Sequence, residues 1–338
     1  MAGYEGDEDV QIQSGRGETD MIRTRLVKRL AMLAIISALI VATFAGGALA
    51  AKPRYVLGFS QVVMNCPYYL ALYQGAVDTA ARLNVEVVWL NADNIVARQI
   101  SDIEDLVTRK IDGLLVNPVT PTALDSAINK VLAAKIPIVT VDRELAKGQV
   151  AYVGIDQWKA GELAGEFIGK TLGGKGKVIE IAGDPGDSAG KGRGGGFRTI
   201  LAEKYPGIKV VGPWIAHYNT AEGMARMEEA LAANPDVKLV YCHNDAMALG
   251  ALKTLKAAGR KDVFIVGVDG QRQAYEEIRK DGQYLATVIN NSYEIATRAV
   301  EIMVDVLDGK KVPEKTITGT ILVTKDNVDK YYDPDSIF

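Results

Sequence analysis

From Tyr55 almost to its end, the chain alternates between short apolar runs rich in Val, Ile and Leu and longer runs with helical spacing. The apolar runs at residues 55–59, 85–90, 113–116, 138–141 and 152–155 read as strands. Pro67 opens a helix that runs to about Leu83, proline being suited to the first turn. A second helix carries apolar residues at Ile95, Ile100, Ile103, Leu106 and Val107, and a third spans residues 122–134. The rhythm then restarts. Helices at 159–172, 194–204, 220–233, 246–258, 273–281 and 293–307 alternate with strands at 177–182, 209–211, 239–242, 263–268 and 284–289, and a last strand falls at 316–323. Strand–helix–strand repetition marks a parallel sheet covered by helices on both faces. About ten strands are more than one twisted open sheet commonly holds. The pattern therefore predicts an α/β protein of two doubly wound parallel-sheet domains, with no repeat of solenoid period.

The 338 residues accommodate two such domains after a leader at residues 1–50. Residues 21–29 are basic, Leu30 to Ala45 is a nearly uncharged apolar run, and Ala48-Leu49-Ala50 supplies a small-x-small cleavage pattern. That order reads as a secretory signal peptide cleaved after Ala50. An uncleaved membrane anchor is the alternative, since the apolar run is long for a signal peptide. Residues 1–20 are acidic and Gly-rich, which makes Met21 a candidate start. The net charge of −3 offers no basic footprint for nucleic acid. The two cysteines, Cys66 and Cys242, form neither a metal-ligand pair nor a disulfide framework, and free thiols are expected.

Polar residues gather where the strand-like runs end. In open α/β sheets, ligands sit just beyond the carboxyl ends of strands. The clearest case is Ile138 to Arg143, where a β-branched run stops abruptly at Asp142 and Arg143. Asp142 brings acceptors and Arg143 a flat fork of donors. One such pair alone reads more simply as an ion pair closing a strand. The same pattern recurs, however. Ser60, Gln61, Asn65, Tyr68 and Tyr69 follow the first strand, and Tyr218 follows Trp214-Ile215-Ala216. Asn244 and Asp245 follow Cys242, Asp269 follows Val268, and Asn290 follows Ile289. Facing each other, the two halves would line a cleft with Asp, Asn, Arg and Tyr. That inventory suits a sugar, whose hydroxyls both donate and accept in networks. Tyrosine rings can cover its apolar C–H faces. Asn244-Asp245 also reads as a helix start, with Asp245 as the cap.

A Gly-rich stretch, Gly183 to Gly196, carries Lys191 and Arg193. It matches G-x-G-x-x-G from Gly190, but well past the end of its strand, so the dinucleotide context is missing. A phosphate-binding P-loop fails too, because Gly192 follows Lys191. The stretch reads as a flexible loop that opens a helix and aims Arg193 at the cleft. Catalysis finds little support. The two histidines, His217 and His243, have no metal spacing, and no G-x-S-x-G elbow occurs. Asp142 and Asp269 could in principle act as a carboxylate pair on a glycoside, but Arg143 argues for an Asp held ionised.

These residues together resemble the type I periplasmic sugar-binding proteins of ABC importers, the ribose-, galactose- and galactofuranose-binding group. The resemblance covers nearly all of residues 53–325. It is carried by Val-Asp-Arg (141–143), Asn-Asp-Ala-Met-Ala-Leu-Gly-Ala (244–251), Val-Gly-Val-Asp-Gly (266–270) and Leu-Val-Thr-Lys (322–325). It implies two lobes, residues 51–156 with 291–319 and residues 157–290 with 320–338, joined by three hinge crossings near Asp156, Asn290 and Gly319. It further implies a periplasmic monomer that needs no cofactor, closes over one monosaccharide and presents the closed form to the permease of an ABC importer. By the same likeness, Tyr68, Tyr69 and Tyr218 stack on the sugar, and Asp142, Arg143, Asn244, Asp269 and Asn290 bind its hydroxyls. Ser60 joins them as a polar strand-end residue. Arg193 falls at the arginine position of the galactose/glucose pattern, while Lys191 stands where ribose binders carry Arg. Cys66 replaces an Asn and Val268 an aromatic of the ribose site, which leaves hexose, galactofuranose and polyol open. A sensor subunit serving a chemoreceptor or kinase would need the same closure. A ribose-repressor-type regulator would carry a helix-turn-helix headpiece where this chain has its leader. A secreted glycoside-processing enzyme is the remaining alternative.

Overall fold

The computed structural model describes residues 53–338. The expected signal peptide, its expected cleavage site and the candidate Met21 start fall outside those residues. The first half runs β1 (Val56–Gln61), α1 (Pro67–Leu83), β2 (Glu86–Asn91), α2 (Val96–Thr108), β3 (Gly113–Val116), α3 (Asp125–Ala133), β4 (Ile138–Val141) and β5 (Ala151–Gly154). The second half runs α4 (Gln157–Thr171), β6 (Lys175–Ala182), α5 (Ser188–Lys204), β7 (Gly207–Ile215), α6 (Thr220–Ala233), β8 (Leu239–Cys242), α7 (Asp245–Ala257), β9 (Phe264–Asp269), α8 (Arg272–Arg279) and β10 (Tyr284–Ile289). The chain closes with α9 (Ser292–Leu307), β11 (Lys315–Ile317), β12 (Leu322–Thr324) and a short 3-10 turn at Val328–Lys330.

Two six-stranded sheets result, in the orders β11-β5-β4-β3-β1-β2 and β12-β10-β9-β8-β6-β7. All neighbours are parallel except β12, which runs antiparallel to β10. The apolar runs explain the layering. Every residue of β3, β4, β5 and β8 is buried, as strands covered on both faces must be. The edge strand β2 is only half-buried. In the first domain α1 packs with α9 on one face and α2 with α3 on the other. In the second, α4 packs with α5 and α6 with α7.

The chain passes between the sheets three times: between β5 and α4, between β10 and α9, and between β11 and β12. The first two crossings end in helix caps. Asp156 accepts from the Lys159 amide at 2.8 Å, and Asn291 from the Glu294 amide at 3.0 Å. The single strand expected at 316–323 is therefore two strands in different sheets, broken where the chain changes domain.

The Gly-rich stretch also differs from expectation. Only residues 183–187 are loop, and Gly190 to Gly196 lie inside α5. The glycines serve helix packing. A Cβ at Gly196 would stand 2.1 Å from the Trp158 carbonyl oxygen, and one at Gly161 of α4 would stand 2.1 Å from that of Arg193. With so many side chains missing, α4 and α5 pack backbone to backbone. Glycine costs helix stability, roughly 1 kcal/mol each against alanine. The tight helix pair offsets that cost.

Candidate functional site

Each polar cluster at a strand end is placed by a local bend. After β4 the backbone turns at Asp142 (φ 63°), after β9 at Asp269 (φ 129°), and after β7 at Tyr218 (φ 59°). These are sparsely populated conformations for such residues, and they gather where the chain must leave its sheet and aim a side chain into the cleft. Tyr68 and Tyr69 are held differently, in the first turn of α1 behind Pro67.

Nine of the ten residues singled out in the sequence line one small inner cavity: Tyr68, Tyr69, Asp142, Arg143, Arg193, Tyr218, Asn244, Asp269 and Asn290. Cys66 and Ala189 complete the wall. Ser60 does not line it. That residue is buried in β1, and its carbonyl, together with that of Asn117, faces Gln99 of α2. Lys191 lies outside the cavity as well, exposed on α5.

The charged groups are almost fully buried, Asp142 and Asp269 at 4% exposure, Arg193 at 3% and Arg143 at 2%. Tyr68 donates its hydroxyl to Asp142 Oδ1 at 2.7 Å. Asn290, on the second crossing, donates to Asp269 Oδ1 at 3.2 Å and to Asp142 Oδ1 at 3.4 Å, and so touches the carboxylate of each domain. Arg193 is tied at two of its nitrogens: Nε to Gln157 Oε1 at 2.8 Å, and Nη1 to Asp269 at 3.0 Å and to the His243 carbonyl at 2.5 Å. Arg143 is not. Its Nη2 donates to the Tyr69 hydroxyl at 3.2 Å and lies 3.2 Å from Asp187 Oδ2 across the cleft. Among the described residues its Nε and Nη1 have no hydrogen-bond partner, and neither does Asn290 Oδ1. The Arg143 guanidinium also lies over the Tyr218 ring, 5.4 Å from its centre.

Burial disfavours charge throughout the cavity. It works against the Arg143 and Arg193 charges, but Asp187 beside the first and Asp269 beside the second overcome it and hold both charged. Burial pushes the Asp269 carboxyl up, with Arg193 pulling it back. Asp245 is raised by burial too, against hydrogen bonds from Tyr284, Gln271, Thr287 and Gly270. The hydroxyls of Tyr68, Tyr69 and Tyr218 are raised by burial and stay neutral donors. Cys66 and Cys242 are free and buried, and burial pushes the Cys66 thiol up to about 12. Both are therefore unreactive thiols.

Asn244, rather than Asp245, caps α7, accepting from the Met247 amide at 2.9 Å. Asp245 sits one position inside the helix. There it collects the Tyr284 hydroxyl at 2.7 Å and the amides of Gly270 and Gln271 at 2.9 and 2.8 Å. It thereby fixes the turn that carries Asp269. Two functional residues were not singled out from the sequence. Gln157, the first residue of α4, donates to the Asp142 carbonyl at 3.2 Å while accepting from Arg193. Asp187 caps α5 and accepts from the Tyr218 hydroxyl at 3.2 Å. Its place before Ser188 and a helix was a readable cap signal. Nothing in the sequence set it opposite Arg143.

A cleft between two doubly wound domains, lined from strand ends on both sides, defines a hinged solute-binding protein. The chain belongs to the periplasmic binding protein family: that family's domain model matches residues 57–311. Such proteins bind their solutes without turning them over. The chain is similar to the ribose import binding protein of Bacillus subtilis, 37% identical over 271 residues that cover 80% of this chain and 87% of that one. Among solved structures it is similar to an ABC transporter solute-binding protein from Mycobacterium smegmatis with bound glycerol. That likeness has a TM-score of 0.81 and 36% identity, and covers 84% of this chain and 98% of that one. A second is an ABC transporter solute-binding protein from Bacillus halodurans with bound myo-inositol. There the TM-score is 0.78 and the identity 29%, over 83% and 98% of the two chains.

Proposed function

We propose that this protein captures one monosaccharide or polyol in the inner cavity, closes on it and delivers it to the permease of an ABC importer. The observation that carries the reading is the set of buried groups without partners. Arg143 Nε and Nη1 and Asn290 Oδ1 are donors and an acceptor around one cavity, and buried polar groups are rarely left unmatched. A polyhydroxylated ligand supplies both kinds of partner at once. Asp142, Arg143 and Asn290 grip its hydroxyls, Arg193, Asn244 and Asp269 take those facing the second domain, and Tyr68, Tyr69 and Tyr218 cover its C–H faces. The wall brings donors and acceptors of both domains around one small space, which suits a single ring or a short polyol. The ribose, glycerol and myo-inositol of the similar proteins are of that class. The protein works as a monomer in the periplasm, released there by cleavage after Ala50.

Closure follows from the division of contacts. Each domain holds part of them, so the ligand favours the closed form by the affinity it gains there. The test is native mass spectrometry of the exported protein, then a thermal-shift panel of D-ribose, D-galactose, D-fructose, methyl furanosides, xylitol, glycerol and myo-inositol. A co-purified sugar mass, or one compound raising the melting temperature by several degrees, is the expected result. No bound mass and no shift with any of them would overturn the proposal.

A further inference from the structure

One segment of the second domain reaches across to the first. Beyond the 3-10 turn, Tyr331 and Tyr332 pack against the core of the second domain. The Arg279 guanidinium of α8 lies over the Tyr332 ring at 4.2 Å. Arg272, at the start of α8, donates to the Pro334 carbonyl at 2.9 Å. Residues 333–338 then fold on themselves. The Asp335 amide donates to Asp333 Oδ1 at 2.9 Å, and Ser336 Oγ accepts from the Phe338 amide at 3.2 Å while donating to its carbonyl at 2.6 Å. The far end rests on the other domain. Phe338 meets Tyr68 edge-on, with ring centres 5.5 Å apart and planes at 79°. Tyr68 belongs to α1, and its hydroxyl holds Asp142. With Gln74 and Asp78 of α1, the segment walls an outer cavity of about 470 Å³ that adjoins the inner one at Asp269.

We propose that residues 333–338 are a strap, carried by the second domain, whose Phe338 settles on Tyr68 of the first and retains the bound sugar. The inference rests on the sugar-binding reading above. Opening the hinge carries α1 away from α8, and a strap anchored on α8 must then leave Tyr68. The edge-on contact is made in the closed form and lost in the open one, so it slows opening. It is made to the Tyr68 ring, whereas Asp142 is held by the Tyr68 hydroxyl, so it is expected to act alike on every sugar that binds. Phe338 is accordingly a positioning residue, acting through Tyr68.

The experiment is stopped-flow binding by the full chain, with the strongest binders of the sugar panel as probes. Phe338→Ala is expected to speed release about 3- to 10-fold, the worth of one aromatic pair, by the same factor for every sugar that binds. Association rates and the ligand-free melting temperature stay put, and Phe338→Tyr restores slow release. Arg272→Ala, which cuts the anchor and leaves the aromatic pair, speeds release in the same direction. Wild-type release in both alanine variants overturns the strap while leaving sugar binding intact. So does a changed rank order of sugars, which would make Phe338 a ligand contact, or a lowered ligand-free melting temperature, which would make it ordinary packing. If wild type binds no sugar at all, the functional reading falls and the strap with it.

Discussion

Arg143 and Arg193 are the same side chain, equally buried, in walls of the same cavity, yet their surroundings differ. Arg193 spends its donors on its own side: Gln157, Asp269 and the His243 carbonyl. Arg143 has one tyrosine of its own domain, one carboxylate across the cleft, and two donors left over. Arg193 is thus matched at Nε and Nη1 before any ligand arrives, whereas Arg143 waits for the ligand. Preorganisation on one side lowers the ordering cost of binding. Unmatched donors on the other supply the selectivity, because a ligand lacking the matching oxygens leaves them buried and empty.

The comparison can be broken most sharply at Arg193. Arg193→Ala strands Asp269 in a dry wall, and breaking a buried pair from one side costs about 3–5 kcal/mol. The expected outcome is a large fall in ligand-free stability, read by chemical denaturation, together with lost binding. Arg143→Ala is the counterpart. It should weaken sugar binding by at least ~2 kcal/mol, roughly 30-fold, with a much smaller loss of ligand-free stability. Calorimetric titration beside a denaturant melt separates the two. Equal stability losses in the two variants would show that the halves do not differ as described.

The smallest effect is a pH dependence. Burial raises the Asp269 and Asp245 carboxyls above the ordinary Asp value of about 3.9. A group raised by folding contributes stability that is complete below its unfolded value and fades as pH climbs through its folded one. The ligand-free melting temperature should therefore decline from mildly acidic toward mildly alkaline pH. Asp269→Asn should flatten that decline, and an unchanged slope in that variant would assign it to other groups.

Much of this site was legible because strand ends are legible. A β-branched run that stops at Asp-Arg, or at Asn-Asp, carries its position in the sheet with it. Eight residues found that way share one cavity with Arg193, which was read from the Gly-rich stretch. Ser60 was read by the same rule and lies elsewhere, since its side of β1 faces α2. The misreadings have one origin. Gly190 to Arg193 looked like a loop because glycine is a poor helix former, and only the approach of α4 explains why so many glycines are tolerated in α5. Gln157 and Asp187 were passed over because their importance lies in what stands opposite them, and no local pattern records that. Asn244 and Asp245 exchanged roles because either side chain can cap a helix, and burial among Tyr284 and Thr287 decided which one turned inward.

The three crossings between the sheets have a consequence for how the chain is made. The first sheet lacks its edge strand until Lys315–Ile317 exists, and α9, which covers it, is made late as well. The second sheet waits for Leu322–Thr324. Domains ordinarily fold one after another as they leave the ribosome. Here neither can finish until nearly the whole polypeptide has been synthesised. A nascent chain therefore stays without a finished core in either domain until its synthesis is almost over. Interleaving the domains thus builds a delay into folding.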